Sequence, residues 1–190
     1  EEVRDIAIFR LAETKLEAAT AAFREREANV LVKKFSRRAV IGALAAITPG
    51  ADLVIQGALA SKLIHSLCRT YEVPLKQVEL DAFLKLAGGK VRNATSITLA
   101  VAGNAFKAFP GLGTIAGGLM HAVAYGMIFD SLGRAAVQTL ATRGGFESQE
   151  TIENFEANLL GQMEARARDF AELALEHQSA ENPERETGAR

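Results

Sequence analysis

Trp is absent from this chain of 190 residues, Tyr occurs only as Tyr71 and Tyr125, and Cys only as Cys68. A single cysteine excludes an intramolecular disulfide and suits a reducing compartment. The missing Trp and scarce Tyr leave little of the aromatic belt that marks many membrane spans. Charge of one sign is not in excess. The 22 basic residues face 23 acidic ones, for a formal net charge of −1, so nothing global argues for a nucleic-acid partner. A secretory signal pattern is missing from the start. The chain also opens at Glu1 without an initiator Met, as expected of a piece of something longer.

Proline is scarce too, with only four residues. Two of them fall inside the two most apolar stretches, each followed by glycine: Pro49-Gly50 in Ala39–Ile55, and Pro110-Gly111 in Ala105–Gly118. Proline removes a backbone donor and clashes with the preceding helical turn, and glycine then frees the turn sterically. Each stretch is therefore expected to fold back as a helical hairpin. Pro49, Gly50, Pro110, Gly111, Gly113 and Gly117 are the architectural residues of these breaks. Between Ala94 and Phe129 the only charged side chain is Lys107.

The flanks are different. Glu2 to about Lys34 reads as one long amphipathic helix rich in Ala, Glu and Arg and free of Gly and Pro. Phe9, Leu16, Phe23 and Val30 recur every seventh residue, with Ala12 and Ala19 between them. This is a coiled-coil-like seam, made imperfect by Arg26 and Lys33 in its second row. Near the other end, Ser148 offers an N-cap before Ile152, Phe155, Leu159, Met163, Phe170 and Leu173, which follow helical spacing to about His177. The two arms are expected to pack on each other as an antiparallel pair.

Strand-like alternation is missing throughout, so the expected class is all-α. The organisation reads as an N-terminal amphipathic arm (1–36), an apolar helical-hairpin core (37–143), a C-terminal amphipathic helix (144–178) and a disordered polar tail (179–190). Within the core the expected helices are Arg38–Ile47, Asp52–Tyr71, Leu75–Ala87 ending at Gly88-Gly89, Val91–Phe109, and Gly113–Thr142 closed by Gly144-Gly145.

The candidates for chemistry are few. Gly111 to Gly118 is glycine-rich, but it lacks the Lys-Ser/Thr of a phosphate loop and the spacing of a dinucleotide fingerprint. Packing is the better reading: Gly113, Gly117, Gly118, Ala122 and Gly126, and likewise Gly42, Ala46 and Gly50, place small residues near every fourth position, where helices can approach closely. His65, His121 and His177 share no metal-ligand spacing, and His121 reads as a hydrogen-bonded interior histidine. Cys68 has no neighbour that would make it a nucleophile. Asp52, the one acid inside the hairpins, is either a helix cap or an intramembrane acid. The residues point to no enzyme, cofactor or metal.

Lys33, Lys34, Arg37 and Arg38 stand directly before the first apolar run. They are either contacts to anionic lipid headgroups, at about 1 kcal/mol per basic residue near the surface, or a solvated helix face. A spanning helix needs about 20 apolar residues. Ala39–Ser61 has eight Val, Ile and Leu residues, about −3 to −4 kcal/mol on an insertion scale, of which Asp52 cancels about 3. Ala108–Phe129 is uncharged but carries five glycines, Pro110 and His121. Re-entrant hairpins and a compact soluble bundle with Lys62, His65, Arg69 and Lys107 on its outer faces both fit.

The ordered set Gly42, Pro49-Gly50-Ala51-Asp52-Leu53, Tyr71-Glu72-Val73, Lys107-Ala108-Phe109-Pro110-Gly111-Leu112-Gly113-Thr114-Ile115-Ala116-Gly117 and Leu132-Gly133-Arg134-Ala135 resembles the bacterial YcjF-like domain of unknown function. The resemblance runs from about Arg37 to Leu140 and leaves the charged arms uncovered. It implies a membrane-associated, non-catalytic helical module, the C-terminal part of a bacterial P-loop GTPase or the neighbour of one. The implied site is the cytoplasmic side of the inner membrane, with lipid and the GTPase domain as partners. That family has no established catalytic residues to carry over. The reading from another class is a soluble, cytoplasmic helical domain for protein interaction or homo-oligomerisation.

Overall fold

The computed structural model of the protein describes residues 2–45, 51–109, 117–161 and 163–181. It is all-α. Among the described residues six helices follow one another: α1 (Glu2–Leu44), α2 (Ala51–Thr70), α3 (Gln77–Phe106), α4 (Gly117–Arg143), α5 (Ser148–Leu160) and α6 (Met163–Glu181).

The bundle is organised around α4. This helix is apolar on nearly every side, and a helix without a polar face must be wrapped by others. It packs against each of the other five helices. Val123, Met127, Ile128, Phe129, Leu132 and Leu140 are all buried along it. Two glycines let α1 come close. A Cβ on Gly126 would sit 2.7 Å from Val40 Cγ2, and one on Gly133 would sit 2.7 Å from Val32 Cγ2. The pairing of Val40 with Gly126 and of Val32 with Gly133 makes α1 and α4 antiparallel. Phe170 of α6 closes on Gly126 from a second side, at 2.8 Å from the same Cβ position. Gly42 plays a similar part toward α2, with Ile55 Cγ2 at 3.2 Å.

Several sequence expectations are corrected. The N-terminal arm and the first apolar helix are one helix, because Ala28, Val32, Phe35, Ser36, Ala39 and Val40 form one buried stripe that passes through the proposed boundary without changing phase. Likewise α3 runs straight through Gly88-Gly89. Its stripe of Leu80, Phe83, Ala87, Val91, Ala94, Thr98, Ala102 and Ala105 keeps helical spacing across the glycines. Both glycines face open space, and the packing offsets their cost of about 1 kcal/mol each. The C-terminal helix is two helices, separated at Gly161, whose backbone is extended. Ser148 lies inside α5, and the cap position belongs to Glu147, whose side chain makes no cap bond. The two arms do not pair along their lengths. Instead α6 lies on α4 and α3 and meets α1 through the Gly126 junction. Residues 179–181 are helical rather than part of a disordered tail.

The helix ends are built locally. Gly144 stops α4 with φ +62° and a bond from its N–H to Leu140 O at 3.1 Å, the left-handed cap that favours glycine. At the end of α2, the Glu72 N–H bonds Arg69 O and the Val73 N–H bonds Cys68 O. That is a Schellman arrangement with Glu72, at φ 58°, where glycine is usual.

The antiparallel order places the end of α1, the start of α2, the end of α3 and the start of α4 together. Both Pro-Gly segments are therefore entered and left at one end of the bundle. At the other end, Arg24 pairs with Glu72 beyond the end of α2, and α1 continues past the bundle.

Candidate interaction surface

From Glu2 to Ala19 every residue of α1 is exposed. Helix propensity explains why this stretch is helical: Ala, Glu, Arg and Leu dominate, and Gly and Pro are absent. It is not polar. Phe9 is 71%, Leu16 69%, Phe23 57% and Val30 56% exposed. At 3.6 residues per turn, Val30 stands about half a turn away from Val32 and Ala28, which are buried. The seven-residue seam and the bundle-packing stripe thus lie on opposite sides of one helix.

Lys33, Lys34, Arg37 and Arg38 are exposed between the buried residues of the same helix. The Arg38 guanidinium lies 5.6 Å from the Phe35 ring centroid, a cation–π contact that packs its stem onto the bundle edge. Lys62, His65, Arg69 and Lys107 are likewise on the outside.

The other predicted residues divide in two. Pro49, Gly50, Pro110, Gly111 and Gly113 lie outside the described residues. Asp52 falls in the first turn of α2, and its side chain also lies outside them. Gly117 begins α4, and a Cβ on it or on Gly118 would meet nothing within 4 Å among the described residues. Gly126 and Gly133 are the points of close approach, one seven residues after the other. His121 is exposed, which corrects its reading as an interior histidine. Its place on the first turns of α4 turns it away from the core.

A polar clasp on α4 was not among the expected sites. Asp130, 7% exposed in its side chain, meets Arg134 Nε at 2.8 Å and Arg166 Nε at 3.3 Å. Arg166 also donates to Ser131 Oγ at 3.1 Å and to Asn158 O at 2.9 Å. The guanidinium therefore ties the last turn of α5 to α4 and α6. Burial pulls its pKa down, Asp130 opposes that shift and Arg134 adds to it. The available signal was the four-residue spacing of Asp130 and Arg134, where the apolar run first meets charge. The group reads as structural: the carboxylate is occupied by two cations.

Cys68 is buried, and burial pushes its thiol up to about 11. At neutral pH it is a protonated core residue and a poor nucleophile. Among the described residues no group of three His, Cys, Asp or Glu side chains could hold a metal ion, and no helix is long and apolar enough to cross a membrane. Comparisons with protein-family models, with curated proteins and with solved structures give no match.

Proposed function

We propose that this chain is a non-catalytic helical interaction module, in which the bundle holds out the N-terminal half of α1 for another helix to pair with. The observation that carries the reading is the exposed run from Glu2 to Ala19, with a heptad seam on a helix whose C-terminal half buries one side in the bundle. Contiguous exposed apolar surface marks interaction sites. A helical seam of this spacing takes a helix as its partner. The test is removal of residues 1–23, which keeps the Arg24–Glu72 contact. The shortened bundle is expected to melt within about 2 °C of the intact chain, since one kcal/mol moves a domain of this size by about 2–4 °C. It is also expected to bind less of a hydrophobic dye. A fall of about 10 °C or more would make the arm part of the core and end this reading.

A second reading rests on a different observation. The basic side chains Lys33, Lys34, Arg37 and Arg38 are all exposed on α1, and α1 leads to the end where both Pro-Gly segments are entered. In this reading the module sits on anionic headgroups at the cytoplasmic face of a bacterial inner membrane and serves a P-loop GTPase domain, in line with the YcjF-like resemblance. Flotation with anionic vesicles tests it. Replacing the four basic residues by Gln should weaken flotation, and retention through an alkaline carbonate wash would point to embedded hairpins. A protein that stays at the bottom of the gradient removes this reading and leaves the first standing.

A further inference from the structure

We infer that the arm pairs with a second copy of this chain, laid antiparallel, with Leu16 of each copy against Ala19 of the other. This inference rests on the interaction-module reading and names the partner of that same surface.

The seam has two rows. Glu2, Phe9, Leu16, Phe23 and Val30 form the first. Asp5, Ala12, Ala19, Arg26 and Lys33 form the second. All ten are exposed. Their chemistry is graded along the helix: acids lie at its start, large apolar residues alternate with alanines in the middle, and bases lie toward the bundle. A parallel pair would set each layer against itself. Glu2, Asp5, Arg26 and Lys33 would each meet their own charge, and like charges across such a seam disfavour pairing.

Reversing one helix swaps the two rows across the interface. With Leu16 against Ala19, Phe23 meets Ala12, so large residues fall opposite small ones. Arg26 meets Phe9, where a guanidinium can lie on a ring face. Lys33 meets Glu2, opposite in charge. Val30 opposite Asp5 is the single layer without a complementary partner. Arg26 and Lys33, imperfections in an apolar seam, thereby become the residues that choose orientation and register.

The occupant is a copy of the chain rather than an anionic surface. Residues 2–27 hold six acidic and five basic side chains, so the arm neither repels itself nor carries the basic face of a membrane-surface helix. The size is also adequate. Two Phe rings from each copy carry about 150–250 Å² apiece, more than half of it exposed. With Leu16, the alanines and the long basic stems, the pair reaches roughly the 1,200 Å² at which specific interfaces begin.

The test is sedimentation equilibrium of the intact chain from about 1 to 100 µM, joined to disulfide trapping. A dimer is expected, and Leu16→Glu should raise its dissociation constant at least about tenfold while leaving the bundle's melting temperature unchanged. Lys33→Glu should weaken the dimer, and Glu2→Lys in the same chain should restore it. Phe9→Cys mixed with Arg26→Cys should cross-link, whereas Phe9→Cys alone should not. Cys68 is buried and stays out of the trapping. A monomer throughout that range, a dimer indifferent to Leu16→Glu, or self-cross-linking of Phe9→Cys would each overturn the proposal. A monomer whose bundle melts normally without residues 1–23 overturns the second copy alone. A bundle that collapses without them overturns the interaction-module reading as well.

Discussion

Between Ala28 and Val40, α1 buries one side against α4, while between Glu2 and Ala19 the same helix buries nothing. Both halves carry apolar side chains at helical spacing, so hydrophobicity does not separate them. Phase does. Ala28, Val32, Phe35 and Ala39 keep the side that faces α4. Phe9, Leu16, Phe23 and Val30 keep the other, and among the described residues no other helix covers the first two. A residue such as Phe9 is exposed because the bundle ends below it, not because its neighbours are polar. One unbroken helix thus belongs to two assemblies, one already made and one on offer.

The sharpest way to break that contrast is to delete the same ring from each half. Phe35→Ala should cost about 3–5 kcal/mol, read from urea unfolding, because Phe35 is buried among core residues. Asp130→Ala, in the helix that grips the embedded half, should cost about 3 kcal/mol, since it strands the buried Arg166 charge. A loss under about 1 kcal/mol would mean that the clasp is solvated and marginal.

Alkaline pH probes the embedded half through α2, which packs along it. Burial lifts the Cys68 thiol from 9.0 to about 11, so the folded state favours the neutral form. That contribution is complete below pH 9 and is lost as pH rises through 11, about 3 kcal/mol at most. Urea midpoints at the two pH values should differ more for the natural chain than for Cys68→Ala; equal differences would contradict it. Gly133→Ala should cost about 1–3 kcal/mol, because the new methyl meets Val32. The smallest effect belongs to the projecting half. Phe9→Ala, measured at a concentration where the chain is monomeric, should stay within about 0.5 kcal/mol of the natural chain, and a larger loss would mean that the arm folds back onto the bundle.

Local rules carried much of this architecture into the sequence. The all-α class, the seam from Phe9 to Val30 and the stop at Gly144 follow from period and end chemistry, which act over a few residues. What was hidden depended on distant neighbours. Gly88-Gly89 looked like a helix end because propensity penalises glycine, but the stripe of Leu80, Phe83, Ala87, Val91 and Ala94 outweighed it. The Lys33–Arg38 cluster looked like a boundary because charge gave way to apolar residues, yet Val32 and Phe35 were already facing α4. Gly126 was one of several small residues expected at close approach, and Gly133 was not among them. Only the positions of Val40, Phe170 and Val32 single these two out. Arg166 on Asp130 joins residues far apart in the chain, and no spacing foretells it.

The two glycine notches of α4 have a mechanical consequence. Val32 and Val40 seat in them like teeth in a keyway, and no Gly or Pro interrupts α1 from Glu2 to Ile41. The helix spans about 65 Å at 1.5 Å per residue, and it can neither slide nor turn on α4 without lifting both teeth. The height and bearing of Phe9 are therefore set where Val32 and Val40 engage, about six turns away or more. Whatever grips the arm is gripping the handle of a shaft whose other end is locked into the core.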